Sequence, residues 1–523
     1  MAKQKFKNKR SFILTCVGAA VGLGNALRFP GLCARFGGGT YLFVYFIALV
    51  FLGVPLLNAE IALGRRYAGG APKCLKALKR GGDRLGWASC VNSLITAVIY
   101  AGLAGWLLTM VIKIAPLCTS GSANVSGYFF NEVLNARDDG VISGISPLVA
   151  GGIAVAWVLM FLCLSGGTDS LSKAAKFTVT APVALLSVMA ARGFLYPNAG
   201  EALTALFLPD FSAFLNPELW LSALGQVFFS LSVAVGIMPA FGACLPEGTN
   251  VFSCSLAIAA ADFAVSVLAS VVMFTTLYGC GLQNRIGQSG ILTAFAVYPA
   301  AICRLSTFPA LNAVVGVLFY CSLCMMAVQS AVSMLEAFLS PLSESFNLKK
   351  RRLTLCVCAV GSIISLIFAT SAAALTVSVA DLFINFYDVL LLCIAECFII
   401  GYSRESRNLA NEINRFSGRL KMPAKVFNVS VKFISPAVLI SLAAYEAFRL
   451  ITNGLSFPLW AQIGFGWGLS LAVLGAALLL QRLSLPREER RQPFRRNASP
   501  SFRSASFWKR RKTRNTPRAQ APE

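Results

Sequence analysis

Histidine is absent from this chain of 523 residues, and only 13% of its residues are charged. Without histidine the chain cannot build a Ser-His-Asp triad, a His-rich zinc site or an imidazole proton relay. A soluble domain carries roughly 25% charged residues, so the scarcity of charge argues against a soluble protein. Hydrophobic residues make up 56% of the chain, and its mean hydropathy is +0.69.

Long uncharged runs take the place of the missing charge. They cover residues 11–27, 37–59, 85–112, 141–168, 219–246, 353–380 and 450–481. Each run is near or above the ~20 residues that cross a bilayer as a helix, whereas barrel strands are alternating runs of about ten. The sequence therefore predicts an all-α polytopic membrane protein. We expect about twelve transmembrane helices, centred near residues 20, 50, 100, 155, 184, 232, 265, 325, 362, 392, 438 and 470.

The net charge of +24 is unevenly distributed among the connections between these spans. Lys and Arg cluster at residues 3–10, 65–84 and 349–352, and again in the tail from Arg487 to Arg518. The connections with few Lys or Arg are 114–143, 193–218 and 280–303. This asymmetry predicts an integral protein of the plasma (inner) membrane with both termini in the cytoplasm. The basic tail is expected to contact anionic lipid, and no nucleic-acid partner is expected.

Most of the sixteen cysteines lie within the spans, where they behave as small hydrophobic residues. Cys118, Cys280 and Cys303 are the candidates for the outer surface, and three thiols allow one disulfide at most. We expect residues 280–306 to form an extracellular loop with short helices.

The first span contains features that interrupt a transmembrane helix. Gly18, Gly22 and Gly24 crowd its middle, and the polar residues Asn25 and Arg28 follow. Unwound backbone at membrane depth must line a cavity or be buried in protein. The first span is therefore a candidate binding site.

The sixth span, within residues 219–246, has the same character. It contains Gly225, Gln226, Ser230 and Pro239, and it lies five spans after the first. Two interrupted segments at corresponding positions in two halves indicate a transporter built from inverted repeats.

Specific motifs support this interpretation. Residues 20–30 read AVGLGNALRFP, residues 37–40 read GGGT, residues 53–56 read GVPL, and residues 225–232 read GQVFFSLS. In this order and spacing they resemble the neurotransmitter:sodium symporter family over residues 3 to about 480. Because no long second extracellular loop is present, the chain is similar to the bacterial amino-acid branch. The resemblance implies the LeuT-type 5+5 inverted-repeat fold, with helices 1 and 6 unwound.

The same resemblance implies a division of the chain. Residues 1–10 would form a basic cytoplasmic amino terminus, 11–204 the first repeat with helices 1–5, and 205–405 the second repeat with helices 6–10. Residues 406–482 would form helices 11 and 12, and 483–523 a disordered basic cytoplasmic tail.

In function, the resemblance implies a sodium-coupled symporter that imports an amino acid by alternating access, and not an enzyme. Sodium ions would be the coupling ions, and no other cofactor is expected. The first sodium site would use Ala20, Asn25, Ser230 and Asp262. The second would use Gly18, Val21, Met326, Gln329 and Ser330. Gln329 stands where relatives usually carry Thr or Asp, so the number of sodium ions, one or two, stays open.

The implied substrate residues surround the two interruptions. They are Ala20, Gly22, Leu23, Gly24, Thr96, Tyr100, Phe229, Ser230, Ser232, Val235, Ser330 and Met334. Gly22 leaves room for the carboxylate of the substrate, which indicates a free α-amino acid. Val235 replaces a larger aromatic residue of a bacterial relative, and this substitution favours an apolar or aromatic substrate.

The remaining charged residues fit gates and supports. Arg28 and Asp381 match an extracellular gate pair of the family. On the cytoplasmic side, Lys3 and Phe6 stand where the family has Arg and Trp, and Glu344 is the candidate partner of Lys3. We expect Glu60 to hydrogen-bond irregular backbone.

Two other functional classes stay open at the level of sequence. One is a sodium-dependent amino-acid sensor without net transport. The other is an intramembrane aspartyl protease that uses Asp262 and Asp381, although this class leaves the motif around Asn25 unexplained.

Overall fold

The computed structural model describes residues 4–120, 125–136, 142–282, 290–416 and 420–484. These residues form helices and connecting loops, and no strand occurs among them. The prediction of an all-α protein is therefore confirmed. Lys3 and nearly all of the predicted tail, residues 485–523, lie outside the described residues.

The described residues contain fifteen principal helices. In chain order they are α1 (Lys9–Ala20), α2 (Gly24–Arg35), α3 (Gly39–Tyr67), α4 (Asp83–Thr119), α5 (Pro147–Ser165), α6 (Gly167–Gly193), α7 (Pro217–Ser230), α8 (Ile237–Gly242), α9 (Val251–Gly279), α10 (Gly290–Ile302), α11 (Pro309–Phe346), α12 (Lys350–Ala369), α13 (Ala373–Gly401), α14 (Ala424–Asn453) and α15 (Leu459–Ser484). Shorter helices lie in the connections, at Ala71–Leu78, Phe129–Val133, Ala199–Phe207, Phe211–Leu215 and Ser406–Ile413.

Ten of the described helices are long and apolar enough to cross a membrane, and the pair α1 and α2, bent by 54°, adds an eleventh span. The predicted sixth span, centred near residue 232, consists of α7 and α8. Each of these two helices is shorter than a full span because residues 231–236 between them are not helical. Eleven of the twelve predicted centres therefore lie in a described helix, and the twelfth, near residue 232, lies in the interruption between α7 and α8.

The interruption between α7 and α8 has an unusual backbone. Ser232, Ala234 and Gly236 have φ values of 53°, 61° and 77°. Only glycine adopts this left-handed region readily, so two non-glycine residues there require support from their surroundings. The carboxylate of Glu60, on α3, supplies part of it by accepting a hydrogen bond from the Ala234 N–H at 2.5 Å. The predicted role of Glu60 is confirmed.

The two interrupted spans are enclosed by other helices. The two longest helices, α4 and α11, pack against each other, and α1 packs against α6, α9 and α11. At the periphery, α5, α6, α12 and α15 expose much of their apolar surface, as expected where the surrounding medium is lipid.

A disulfide joins Cys118, in the last turn of α4, to Cys303, directly after α10. The prediction of one bridge at most among the three candidate thiols is consistent with this, since Cys280 is a free thiol. The Cys280 Sγ–H donates a hydrogen bond to the Ala301 carbonyl at 3.3 Å. Residues 290–302 form the short helices expected in this loop.

Candidate functional site

A cavity of about 480 Å³ opens from one end of the helix bundle down to the two interrupted spans. Its walls come from α2, α4, α7, α10, α13 and α14. Gly24 of α2 and Phe229 of α7 lie at the interruptions, and Tyr100 of α4 lines the same cavity. The two interruptions therefore line one space, as the sequence predicted.

Beside the interruptions lies a buried cluster of Asn25, Ser230 and Asp262, which α2, α7 and α9 contribute. Asn25 Nδ2 donates hydrogen bonds to Asp262 Oδ1 at 2.7 Å and to Ser230 Oγ at 3.1 Å. Ser230 Oγ–H in turn donates to Asp262 Oδ1 at 2.8 Å and Oδ2 at 2.9 Å. Three residues predicted for the first sodium site are thus in direct contact. Ala20, the fourth, is the last residue of α1 and is also buried.

Two residues that were not assigned to this site complete the cluster. The Tyr45 hydroxyl donates to Asp262 Oδ2 at 3.2 Å, and the Ser266 hydroxyl accepts from Asn25 Nδ2 at 2.8 Å. Asp262 is fully buried, and no Lys or Arg in the described ranges forms an ion pair with it. A buried carboxylate without a cationic partner, next to amide and hydroxyl oxygens, is a donor set suited to a hard cation such as sodium.

The residues predicted for the second sodium site lie on α1, directly after it, and on α11, and these two helices pack against each other. Gly18, Val21, Met326, Gln329 and Ser330 are all buried. The Gln329 side chain, however, packs on α1: a Cβ built on Gly18 would lie 2.7 Å from Gln329 Cγ. Gln329 Oε1 accepts a hydrogen bond from Thr178 Oγ1 at 2.8 Å, so the side chain reaches from α11 to α6. Gln329 Nε2 and Ser330 Oγ have no hydrogen-bond partner among the described residues.

The predicted carboxylate subsite lies at the start of α2. Leu23 and Gly24 line the cavity, where the amino-terminal end of a helix favours negative charge. Gly22 is adjacent; a Cβ built on it would lie 2.6 Å from Ser330 Oγ, so no larger residue fits without rearrangement. Its own N–H is already bonded to Asn25 Oδ1 at 2.9 Å.

A second, smaller cavity of about 20 Å³ adjoins Phe229. Thr96, Ser232, Val235 and Met334, all predicted to contact the substrate, line it. Asn385, which the sequence analysis did not single out, lines it as well. All twelve predicted substrate residues are therefore near the two interruptions, and most line one of the two cavities.

Arg28 and Asp381, the predicted outer gate, line the main cavity but form no ion pair with each other in the described part of the chain. The Arg28 guanidinium lies 5.3 Å from the ring centroid of Phe229 and 5.9 Å from that of Phe386. Asp381 Oδ1 accepts a hydrogen bond from Asn385 Nδ2 at 2.8 Å. Each gate residue thus has another partner while the cavity is open.

The opposite end of the bundle is closed by the amino-terminal segment. Phe6 is buried, contacts the rings of Phe12 and Phe241, and donates its N–H to the Cys244 carbonyl at 3.0 Å. Lys5 forms an ion pair with Glu247 at 2.5 Å and lowers the pKa of that exposed carboxyl.

Lys3, one member of the predicted inner gate, lies outside the described residues. Its proposed partner Glu344 forms an ion pair with Lys73 at 3.1 Å.

Comparison with known proteins identifies the family. A family model described as the sodium:neurotransmitter symporter family matches residues 3–115 and 113–485. The chain belongs to this family.

Among its relatives is an uncharacterized sodium-dependent transporter of Methanocaldococcus jannaschii, 28% identical, with 92% of this chain and 98% of the relative covered. The sodium-dependent neutral amino acid transporter B(0)AT3 of Rattus norvegicus is 26% identical, with 88% and 86% covered. The sodium- and chloride-dependent taurine transporter of Rattus norvegicus is 26% identical, with 93% and 85% covered.

Membership of this symporter family shows a sodium-dependent transporter class and excludes the enzyme class. Together with its apolar helices, it makes the protein an integral, multi-pass membrane protein. The protease hypothesis fails for the same reason. Its two carboxylates also belong to different hydrogen-bond groups, Asp262 with Asn25 and Ser230, and Asp381 with Asn385.

Sequence reasoning missed several residues at the site, for physical reasons. Tyr45 lies in an uncharged run where nothing distinguishes it from a packing tyrosine. Thr178 lies on α6, far along the chain from its partner Gln329. Asn385 offered a weak signal, since a polar amide within an apolar span is usually functional.

Proposed function

We propose that this symporter couples inward movement of sodium to uptake of a free, neutral α-amino acid by alternating access. The observation that carries the proposal is the buried cluster of Asn25, Ser230 and Asp262 beside a cavity that reaches both interrupted spans. A cation held there would lie next to the space where a zwitterion can enter. A bound cation and the carboxylate of a neighbouring zwitterion attract each other, so each ligand raises the affinity for the other. This reciprocal effect is the basis of coupling.

For the direction of transport, we infer that the cavity opens to the outside and that both termini are cytoplasmic. Disulfides persist in oxidising compartments, and Cys118 and Cys303 lie in the half of the bundle that carries the cavity. The basic residues Lys5, Lys73 and Lys350 lie at the other end, as expected for the cytoplasmic side of the plasma (inner) membrane.

For substrate recognition, we infer that the amino-terminal end of α2 at Leu23 and Gly24 holds the carboxylate of the amino acid, with Tyr100 as an additional donor. Gly22 has no side chain, and Ser330 Oγ lies close to where its Cβ would be, so this position offers no acidic group that would compete with the substrate carboxylate. The preference for an apolar or aromatic side chain, which rests on Val235 alone, stays a prediction.

For stoichiometry, we infer a single strongly coupled sodium ion. The Gln329 side chain packs on Gly18 and reaches Thr178, so its amide fills the space in which the second ion would need oxygen ligands. An amide nitrogen cannot ligate a cation.

Purified protein in proteoliposomes tests the proposal. We expect an inward sodium gradient to drive accumulation of a labelled amino acid, and a panel of twenty unlabelled amino acids identifies the substrate by competition. Asp262→Asn should impair uptake strongly. Asp388→Asn is the matched control, because Asp388 accepts a hydrogen bond from Ser470 away from the cavity and asparagine can still accept it.

Two results would contradict the proposal. Sodium-dependent binding without accumulation would instead identify a sensor. Accumulation that is independent of sodium would exclude the assigned coupling ion.

A further inference from the structure

Asn385 occupies the wall between the two cavities. It is 5% exposed and lines the smaller cavity, whereas Asp381, four residues earlier on α13, lines the larger one. The residues from Asp381 to Asp388 form a π-helical stretch, a feature that is common at functional sites. Asn92 of α4 stabilises this stretch by donating Nδ2–H to the Ile384 carbonyl at 3.2 Å.

The Asn385 amide connects the smaller cavity to the outer gate through hydrogen bonds. Its Oδ1 accepts a hydrogen bond from Thr96 Oγ1 at 2.7 Å, and its Nδ2 donates to Asp381 Oδ1 at 2.8 Å. The orientation of the amide follows from its partners, since a carboxylate accepts hydrogen bonds and therefore faces the NH₂ group. Asn385 thus contacts both Thr96, in the wall of the smaller cavity, and the carboxylate of the gate residue Asp381.

Asn385 also keeps the gate carboxylate occupied while the cavity is open. Asp381 bonds to Asn385, and Arg28 lies over the rings of Phe229 and Phe386. For the gate to close by an ion pair between Arg28 and Asp381, the carboxylate has to turn from the amide toward the guanidinium.

A substrate with a polar side chain can form hydrogen bonds to the Asn385 amide, whereas a substrate with an apolar side chain cannot. An asparagine has two N–H groups and two acceptor positions on its oxygen, more than the contacts to Thr96 and Asp381 use. A hydroxyl or amide of the substrate in the small cavity can bond to Asn385 or Thr96. An apolar side chain in the small cavity leaves the remaining donor and acceptor positions of the buried Asn385 amide without a partner, which is unfavourable.

We propose that Asn385 determines specificity: it favours a neutral amino acid whose side chain carries a hydrogen-bonding group, and the bond to that group releases Asp381 to pair with Arg28. This inference rests on the proposed function, and it names small polar amino acids such as serine and threonine as the preferred class. It argues against the apolar or aromatic preference predicted from Val235.

Isosteric substrates test the specificity. Threonine and valine have nearly the same shape but differ in one hydroxyl, and serine and alanine form a second such pair. We expect threonine to compete for uptake roughly two- to thirteenfold better than valine, the change given by one neutral hydrogen bond. Asn385→Leu should bring this ratio close to one, and Thr96→Val should lower it if Asn385→Leu does not fold.

Thr376→Val is the matched control. Thr376 lies on the same helix and is not among the residues that line the two cavities, and its hydroxyl donates to the Ala373 carbonyl of its own helix. The ratio of threonine to valine should therefore be unchanged in this variant. A ratio that survives in both Asn385→Leu and Thr96→Val would overturn the proposal, as would a wild-type preference for leucine or phenylalanine.

The proposed link between the substrate side chain and the gate is tested separately, by the rate at which labelled substrate dissociates. If threonine releases Asp381 for the gate, labelled threonine should dissociate more slowly than labelled valine, and Asp381→Asn should abolish this difference. Persistence of the difference in Asp381→Asn would overturn the link. Absence of any sodium-driven uptake in the wild type refutes the proposed function itself, whereas uptake with equal affinity for threonine and valine refutes this inference alone.

Discussion

Asp262 allows a sharp prediction about the ions. Its carboxylate accepts hydrogen bonds from Asn25, Ser230 and Tyr45, at 2.7, 2.8 and 3.2 Å, and it is fully buried. The taurine transporter among the relatives is chloride-dependent as well as sodium-dependent. Here a fixed carboxylate already supplies a negative charge beside the proposed sodium. We therefore expect transport without chloride.

The effect of Asp262→Asn follows from the hydrogen bonds. Asparagine keeps one acceptor oxygen but turns an NH₂ group toward partners that are themselves donors. At least one charge-assisted hydrogen bond is then lost, and each contributes about 1.5–3 kcal/mol. Restoring the arrangement of ligand oxygens when the ion binds would then cost up to this amount. The apparent affinity for sodium should therefore fall by up to roughly 10- to 150-fold, before the lost attraction between the carboxylate and the cation is counted.

Uptake into proteoliposomes as a function of sodium concentration, in chloride and in gluconate, measures both effects. The wild type should give the same curve in both anions, and Asp262→Asn should be shifted to higher sodium. Asp388→Asn should follow the wild type. The reasoning is refuted if wild-type uptake collapses in gluconate and returns with chloride, or if Asp262→Asn keeps wild-type sodium affinity.

Three further predictions concern the substrate, the second ion site and the disulfide. Tyr100→Phe should weaken amino-acid binding by about 1.5–3 kcal/mol, measured by competition; equal competition by the decarboxylated amine would contradict the carboxylate subsite. Wild-type uptake should have a Hill coefficient for sodium near one, and Gln329→Thr should shift it toward two; a wild-type coefficient near two would leave Gln329 as an oxygen ligand. Cys118→Ser should lower the melting temperature of the solubilised protein, because a bridge across 185 residues typically contributes ~2–4 kcal/mol. A reductant should have the same effect on the wild type and none on the variant, and unchanged melting would show that the bridge to Cys303 does not stabilise the fold.

The main features of the fold were predictable because they depend on local chemistry. Apolar runs of bilayer length specify helices, and glycines next to Asn25 interrupt the first of them. Glu60 matches a family position, and its expected hydrogen bond to irregular backbone is confirmed by the bond to the Ala234 N–H. The two interrupted spans were also predictable, since both carry polar residues at membrane depth.

Contacts between distant segments were less accessible to sequence reasoning. The pairing of Thr178 with Gln329, and that of Thr96 with Asn385, join residues 151 and 289 positions apart. Residue type alone does not say which of many hydroxyls an amide will contact. The ion pair between Lys5 and Glu247 was missed for the same reason, since several acidic residues were available to the basic amino terminus.

A single coupled ion would be sufficient energetically, which bears on whether Gln329 can replace the second one. One sodium ion moving through 100 mV supplies ~2.3 kcal/mol, and a tenfold concentration gradient adds ~1.4 kcal/mol. The total of about 3.7 kcal/mol supports roughly 500-fold accumulation of a neutral amino acid. If the Gln329 amide replaces the second sodium ion, transport loses a driving force that uptake does not require. The same side chain, packed on Gly18, keeps a direct contact between α1 and α11. A neutral amide also places no second charge near the site, so the coupling would depend on the Asp262 cluster alone.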